Sequence, residues 1–325
     1  MRWQPPAFWH APGGAETPAA RLLRPAACAY DAVSRRRFER TAPFRAAAPV
    51  VCTGNVTLGG VGKTPFTAML ARLAREAGHR PHVLTRGYGG TAKGPLRVEP
   101  RHAAREVGDE ALMLSAALPV WVGADRALSA QAATEAGASL LLMDDGFQNA
   151  GLAKDASFLL IDAAAGFGNG AVFPAGPLRE APARAFARAD AAVLVGEGEG
   201  PAMPPGLPCF RCGLALDEEA VPRGPLLAFA GIGRPERFFG AVAAAGGEVA
   251  EARAFPDHHP YTQRELGSLR EEAARQGATL VTTEKDFARL PAGERDGVTP
   301  LPAAMRSEDE AAIAALLLSA AGPAP

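Results

Sequence analysis

From Ala48 onward, short apolar runs alternate with stretches in which apolar residues recur every three or four positions. The runs Val50–Thr53, His82–Thr85, Val120–Val122, Leu140–Met143, Phe158–Ile161 and Ala192–Val195 are short and nearly continuous in apolar character. They predict strands covered on both faces. Helical periodicity falls between them, near Thr64–Ala77, Asp109–Ala117 and Asp125–Ala136. Strand and helix in alternation predict a parallel sheet.

Gly196–Gly206 is rich in Gly, Pro and Glu and reads as a loop. A second alternation follows: strands at Leu226–Ala230, Val249–Phe255 and Thr279–Thr282, with helices at Pro235–Ala244, Thr262–Gln276 and Ser307–Ala320. The expectation is an α/β protein with a helical N-terminal region over residues 1–47, a main parallel-sheet domain over 48–214 and a smaller α/β domain over 215–325.

The first fifty residues differ from the rest. Arg2, Arg21, Arg24, Arg35, Arg36, Arg37, Arg40 and Arg45 stand there against Glu16, Asp31 and Glu39, a local excess of about +5 in a chain whose net charge is −1. Leu22, Ala26, Tyr30 and Val33 recur at helical spacing beside Leu23 and Ala27. A basic amphipathic helix on an anionic membrane surface fits this pattern, as does a helix packed on the protein's own core with an arginine-rich outer face. Arg24 and Pro25 interrupt the stretch, and no apolar run here is long enough to span a bilayer.

Composition narrows the choice. A hydrophobic fraction of 48% with 21% charged residues is that of a globular protein, and the near-zero net charge offers no basis for nucleic-acid binding. Lysine occurs only at Lys63, Lys93, Lys154 and Lys285, so a lysine in a motif is the more informative cation. The four cysteines suit a reducing compartment, and Cys209-Phe-Arg-Cys212 has no second ligand pair nearby to make a zinc site.

Val50–Phe66 reads VVCTGNVTLGGVGKTPF. An apolar strand, a glycine-rich turn and an amphipathic helix are the context of a phosphate-binding P-loop, although Thr57 stands where its first glycine belongs. Backbone N–H groups of Gly59, Gly60, Val61, Gly62, Lys63 and Thr64 can wrap a phosphate at the helix N-terminus. Lys63 would reach the β- and γ-phosphate oxygens of ATP, and Thr64 would ligate Mg²⁺. LLLMDDGFQN, Leu140–Asn149, ends a strand on Asp144 and Asp145, at the edge where open α/β sheets bind ligands and where a P-loop protein carries its Mg²⁺-binding acid. Two further clusters stand apart: VGDE places Asp109 and Glu110 at a helix start, and FPDHHPY places His258 and His259 after a strand of the second alternation.

Taken in order, GNVTLGGVGKTP, TRGYGG, VGDE, DDGFQ, GNG…PAGPLRE, AGIGRPERFF, FPDHHPY and TTEKDFARL resemble the tetraacyldisaccharide 4′-kinase family over about residues 50–290. The resemblance implies ATP- and Mg²⁺-dependent phosphorylation of the 4′-hydroxyl of a tetraacylated disaccharide 1-phosphate in lipid A synthesis. It implies a peripheral enzyme on the cytoplasmic face of the inner membrane, with the lipid as its partner and no obligate protein partner. Carried over residue by residue, it makes Asp109 the base, His258 its support and Lys63 the catalytic cation. Thr64, Asp144, Asp145 and Glu110 become metal contacts, and Arg86 a substrate contact. Asn149 stands where many members carry His.

Four other readings compete. A membrane-associated P-loop ATPase switch would carry a lysine where Leu58 stands, and a GTPase would carry N-K-x-D where Lys285 and Asp286 are adjacent. A soluble small-molecule kinase would leave the basic amphipathic N-terminus without a role, and a non-enzymatic, nucleotide-dependent partner-binding module would tolerate loss of Asp109 and His258.

Overall fold

Every residue of Val50–Gly54 is buried, as expected of a strand with helices on both sides. The structure, a computed structural model, describes residues 5–11, 13–257 and 259–324. The first part of the chain forms α1 (Pro18–Arg40), β1 (Val50–Gly54), α2 (Lys63–Glu76), β2 (Pro81–Thr85), β3 (Leu96–Arg97), α3 (Ala104–Val107), α4 (Asp109–Ser115), β4 (Val120–Val122) and α5 (Arg126–Glu135). It continues through β5 (Leu140–Met143), β6 (Ala156–Asp162), α6 (Pro182–Phe186), β7 (Ala191–Val195) and β8 (Cys209–Leu216). The remainder forms β9 (Pro225–Ala230), α7 (Pro235–Ala244), β10 (Glu248–Ala254), α8 (Gln263–Gln276), β11 (Thr279–Thr283), α9 (Glu284–Arg289), β12 (Val298–Leu301), β13 (Ala303–Arg306) and α10 (Glu310–Ala321).

These strands make two sheets. The larger runs β13-β8-β7-β6-β1-β5-β2-β4-β3, parallel from β8 to β4, with antiparallel β13 and β3 closing its edges. The smaller runs β10-β9-β11-β12 and is parallel throughout. β1 lies at the point where the order of the larger sheet reverses, with β6 on one side and β5 on the other, so the loop after β1 opens into the crevice where such sheets bind ligands.

Helix α2 covers one face with Phe66, Met69, Leu70 and Leu73, all buried, and Phe66 meets Phe158 edge to face at 5.4 Å. α5 covers the other face with Ala130 and Ala133, packed with Val50, Leu84 and Met143. The smaller sheet is sandwiched in the same way, with Phe238 and Val242 of α7 and Leu266, Leu269 and Ala273 of α8 in separate apolar clusters. The ends of α8 follow their sequence signals: Thr262 and Glu265 form a capping box and Gly277 closes the helix at φ 60°.

The C-terminal segment departs from the expected division at residue 215. β12 ends in the smaller sheet at Leu301, and only Pro302 separates it from β13, which pairs with β8 of the larger sheet. α10 then places Ile313 and Leu317 in the core beneath α2. The chain therefore crosses between the sheets twice, after β8 and at Pro302. Cys209 is exposed on β8 and Cys212 buried, an odd spacing that turns them to opposite faces of the sheet.

α1 differs from its expectation in detail. It is one helix through Pro25, begun by Thr17, whose Oγ1 accepts from Ala20 N at 3.3 Å. Ala20 and Ala27 face inward, Tyr30 meets Phe173 at 5.5 Å and Asp31 pairs with Arg184. Leu22, Ala26, Tyr30 and Val33 share one exposed face, as their spacing predicts, with Leu22 and Val33 82% and 68% exposed. Among the described residues, no helix is long and apolar enough to cross a membrane.

Candidate active site

The loop from Asn55 to Gly62 bends sharply because Gly59 and Gly62 take φ of 124° and 84°, where a β-carbon would be strained. Gly59 and Gly60 are exposed, while Val61 is buried and pins the loop to the core from below. Thr57, in place of the usual glycine, is held from two sides. Asn55 Nδ2 donates to its carbonyl at 2.8 Å, and the segment PAGPLRE runs alongside, with Leu58 N donating to Pro177 O at 2.8 Å and Arg179 N to Val56 O at 2.6 Å. A second strand-like segment thus does the bracing that a tight glycine turn would otherwise do.

Lys63 opens α2. Its Nζ donates to Asn55 Oδ1 at 3.0 Å and lies 3.7 Å from Asp145 Oδ1. Thr64 Oγ1 donates to Asp144 Oδ2 at 3.0 Å and lies 3.4 Å from Glu110 Oε2. Thr67, one turn on, adds a weaker contact to Asp144 at 3.4 Å.

The two acids after β5 differ in state although they are neighbours. Asp144 is almost fully buried, and burial, reinforced by the negative charges of Glu110 and Asp145, pushes its carboxyl up to about 7. In Asp145 burial also works upward, but Lys63 and Arg179 outweigh it and hold the group below its ordinary range. Asp145 adopts φ 53°, which turns its carboxylate to Arg179 Nη1 at 3.0 and 3.2 Å. A left-handed aspartate at a strand end is local strain of the kind found at functional sites.

Thr64, Asp144 and Glu110 supply only oxygen ligands, and among the described residues no cation forms an ion pair with Asp144, the nearby Lys63 pairing with Asp145 instead. A hard divalent cation such as Mg²⁺ fits that chemistry.

Asp109 is buried in the first turn of α4 and accepts from Arg289 Nε at 2.8 Å. Glu110 beside it accepts from Lys285 Nζ at 3.0 Å. Residues of the smaller unit thus reach the same helix start that faces the phosphate loop. His258 lies outside the described residues. His259 sits against Glu265 Oε1 at 3.0 Å and Phe255. Arg86 is exposed just beyond the C-terminal end of β2, near enough to Arg126 for its charge to be felt there.

Several residues of the site had no place in the expectation drawn from sequence. Arg126 is a buried guanidinium whose Nε has no partner among the described residues, lowered to about 10 by burial first and Arg86 second. Gln148 Nε2 donates to Asn55 O at 2.9 Å and Glu180 Oε1 at 3.1 Å, tying the acid strand to the phosphate loop. Asn55 could have been suspected from its place in the loop. Arg179 and Arg289 were hidden by the abundance of arginine in this chain. Asn149 uses its Oδ1 to accept from Gly151 N and Leu152 N, a local turn.

A glycine-rich loop at the switch point, a lysine and hydroxyl at the helix start and an acidic strand end beside them define a P-loop nucleotide-binding protein. The family model described as tetraacyldisaccharide-1-P 4′-kinase matches residues 19–321, and the chain belongs to that family of kinases. It is 49% identical over 312 residues to the tetraacyldisaccharide 4′-kinase of Rhodospirillum centenum, covering 94% of this chain and 93% of that protein. It is 51% identical over 292 residues to the protein of the same name in Gluconacetobacter diazotrophicus, covering 88% of each. Among solved structures, LpxK from Aquifex aeolicus in complex with ATP superposes with a TM-score of 0.77 at 26% identity, covering 94% of this chain and 100% of that one.

Proposed function

We propose that this protein transfers the γ-phosphoryl group of ATP to the 4′-hydroxyl of tetraacyldisaccharide 1-phosphate, giving the bisphosphorylated lipid A precursor. The single observation that carries the assignment of roles is the meeting of Glu110 with Thr64: Thr64 Oγ1 lies 3.4 Å from Glu110 Oε2, so the helix that also carries Asp109 begins beside the phosphate loop.

In this reading the exposed backbone of Gly59 and Gly60, with Val61, Gly62, Lys63 and Thr64, cradles the triphosphate, and Lys63 leaves Asn55 for the β- and γ-oxygens. Thr64, Asp144, Asp145 and Glu110 would hold Mg²⁺, which when bound would neutralise charge on the phosphates. The 4′-oxygen attacks the γ-phosphorus, the bond to the β,γ-bridging oxygen breaks and ADP departs. Asp109 accepts the hydroxyl proton, with His258 as its support. Arg86 contacts the substrate's own anionic group. Phosphoryl transfer of this kind rests on positioning and electrostatics, and most of the named groups are charged or polar for that reason.

The protein sits peripherally on the cytoplasmic face of the inner membrane. Leu22, Ala26, Ala29 and Val33 form an exposed apolar stripe on α1, bordered by Arg21, Arg36, Arg37 and Arg40, and such a helix lies in an anionic interface. The acyl chains of the substrate then stay in the bilayer during the reaction. A comparison of the tetraacylated disaccharide 1-phosphate with its deacylated counterpart tests this: turnover of the acylated compound alone is expected, and equal turnover of both would favour a soluble small-molecule kinase.

A further inference from the structure

The first turn of α4 carries two acids side by side, and each is held by a cation from one helix of the smaller unit. Lys285 reaches Glu110 at 3.0 Å and Arg289 reaches Asp109 at 2.8 Å. The two cations are four residues apart on α9, so one helical turn puts them on the same face.

The contacts differ in kind. Lys285 and Glu110 are 21% and 40% exposed, and such a pair contributes little to stability. Arg289 and Asp109 are 9% and 8% exposed, and the guanidinium is also fixed from behind. Its Nη1 donates to Asp286 Oδ1 at 2.8 Å and to Gly231 O at 2.9 Å. Asp286, fully buried, accepts in turn from Tyr261 Oη at 2.9 Å, Thr283 Oγ1 at 2.7 Å and Gly231 N at 3.1 Å. Every one of these partners belongs to the smaller unit. A planar guanidinium held along one edge presents its Nε–H in one direction, and that direction is Asp109.

The charge of Arg289 is already met by Asp286, so the smaller unit does not need Asp109 to keep this arginine buried. Nor are buried ion pairs efficient stabilisers, since apolar residues of the same volume often serve as well. A role in placing Asp109 accounts for the contact better than a role in folding.

We propose that Arg289 is a positioning residue that acts through Asp109: it fixes the orientation of the carboxylate that takes the hydroxyl proton, and makes that orientation depend on the docking of α9 against α4. The inference rests on the reading of Asp109 as base. Docking of the smaller unit thereby completes the reacting geometry of the larger one, with Asp286, Tyr261 and Gly231 as the rigid backing.

The test is steady-state kinetics with ATP and tetraacyldisaccharide 1-phosphate in detergent micelles for wild type, Arg289→Met, Arg289→Lys, Asp109→Asn and the Asp109→Asn/Arg289→Lys pair. Misplacement of a reacting group costs about 10²-fold, so Arg289→Met should lower kcat by about that factor while KM for both substrates stays within about threefold. Arg289→Lys keeps the charge without the fork and should lose about tenfold in kcat. If Arg289→Met fails to fold because two buried carboxylates lose their partner, Arg289→Lys carries the test alone. In the Asp109→Asn background the lysine substitution should change the residual rate little, because the two residues act as one. Wild-type kcat in the folded Arg289 variants, a rise in KM alone, or losses that simply multiply in the paired variant would each overturn the proposal. Full kcat in Asp109→Asn would remove the base reading and this inference together, whereas an inactive Asp109→Asn beside fully active Arg289 variants would remove the inference alone.

Discussion

Lys63 Nζ sits closer to the side-chain amide of Asn55, at 3.0 Å, than to the carboxylate of Asp145, at 3.7 Å. A neutral acceptor can be exchanged for phosphate oxygens at lower cost than a contact ion pair, so the lysine is oriented without being neutralised. The same amide also donates to Thr57 O and fixes the part of the loop that lacks its glycine.

Asn55→Ala removes both contacts at once. We expect KM for ATP to rise about tenfold, in line with about 1–3 kcal/mol for a lost buried hydrogen-bonding group, with kcat reduced as Lys63 loses its orientation. Initial rates over a range of ATP concentrations measure this, and an unchanged KM would show that the loop holds its shape without Asn55.

Thr64→Val keeps the volume of the side chain and deletes the hydroxyl that lies between Asp144 and Glu110. The variant should need roughly tenfold more Mg²⁺ for half-maximal activity, as a lost metal contact implies. Chelation of divalent cations should abolish transfer by the wild type. A Mg²⁺ response identical to wild type would take Thr64 out of the metal site.

Leu22→Glu combined with Val33→Glu places charge on the two most exposed apolar side chains of α1 without touching its inner face. Each leucine-sized side chain withdrawn from an interface costs about 1.5–3 kcal/mol, so partition onto vesicles rich in anionic lipid should fall at least tenfold. Helix content by circular dichroism should stay constant. Vesicle sedimentation that is indifferent to the substitutions would move the contact surface elsewhere.

His82 supplies a pH dependence of stability away from the site. It is buried, accepts from Trp121 Nε1 at 3.2 Å, and is lowered from 6.5 to about 4 by burial first and then by Arg97 and Arg80. Below 6.5 the unfolded chain takes up a proton that the folded chain refuses until about 4. Stability from this residue is therefore complete above about 6.5 and is lost as pH falls towards 4, by on the order of 3 kcal/mol. His82→Gln retains an acceptor without the titration, so its melting temperature should decline less than that of wild type between about pH 7 and pH 4.5. Parallel declines would show that other groups govern the acid limb.

The parallel strands were legible because burial on both faces leaves an unmistakable apolar run, as in Leu140–Met143, and the phosphate loop because its glycines and Lys63 answer to backbone geometry. β8, β12 and β13 were not. Cys209–Leu216 alternates only weakly, and the return of Ala303–Arg306 to the larger sheet depends on a tertiary pairing with β8 that no local pattern encodes. Arg289 escaped notice for a related reason: its importance lies in contacts to Asp109 and Asp286, one of them 180 residues away, and arginine is too common in this chain to stand out. On α1 the helical spacing was legible but the face that turns inward was not: small Ala20 and Ala27 are buried, while Leu22 and Val33 face out.

The most direct test follows transfer of ³²P from γ-labelled ATP to tetraacyldisaccharide 1-phosphate in micelles, with wild type beside Lys63→Ala. Wild type should give a labelled lipid product, phosphorylated at the 4′ position, that falls by at least about 10³-fold in the variant, as expected when the cation facing the transferred group is removed. ATP binding without labelled lipid in the wild type, or equal labelling by both proteins, would contradict the proposed function.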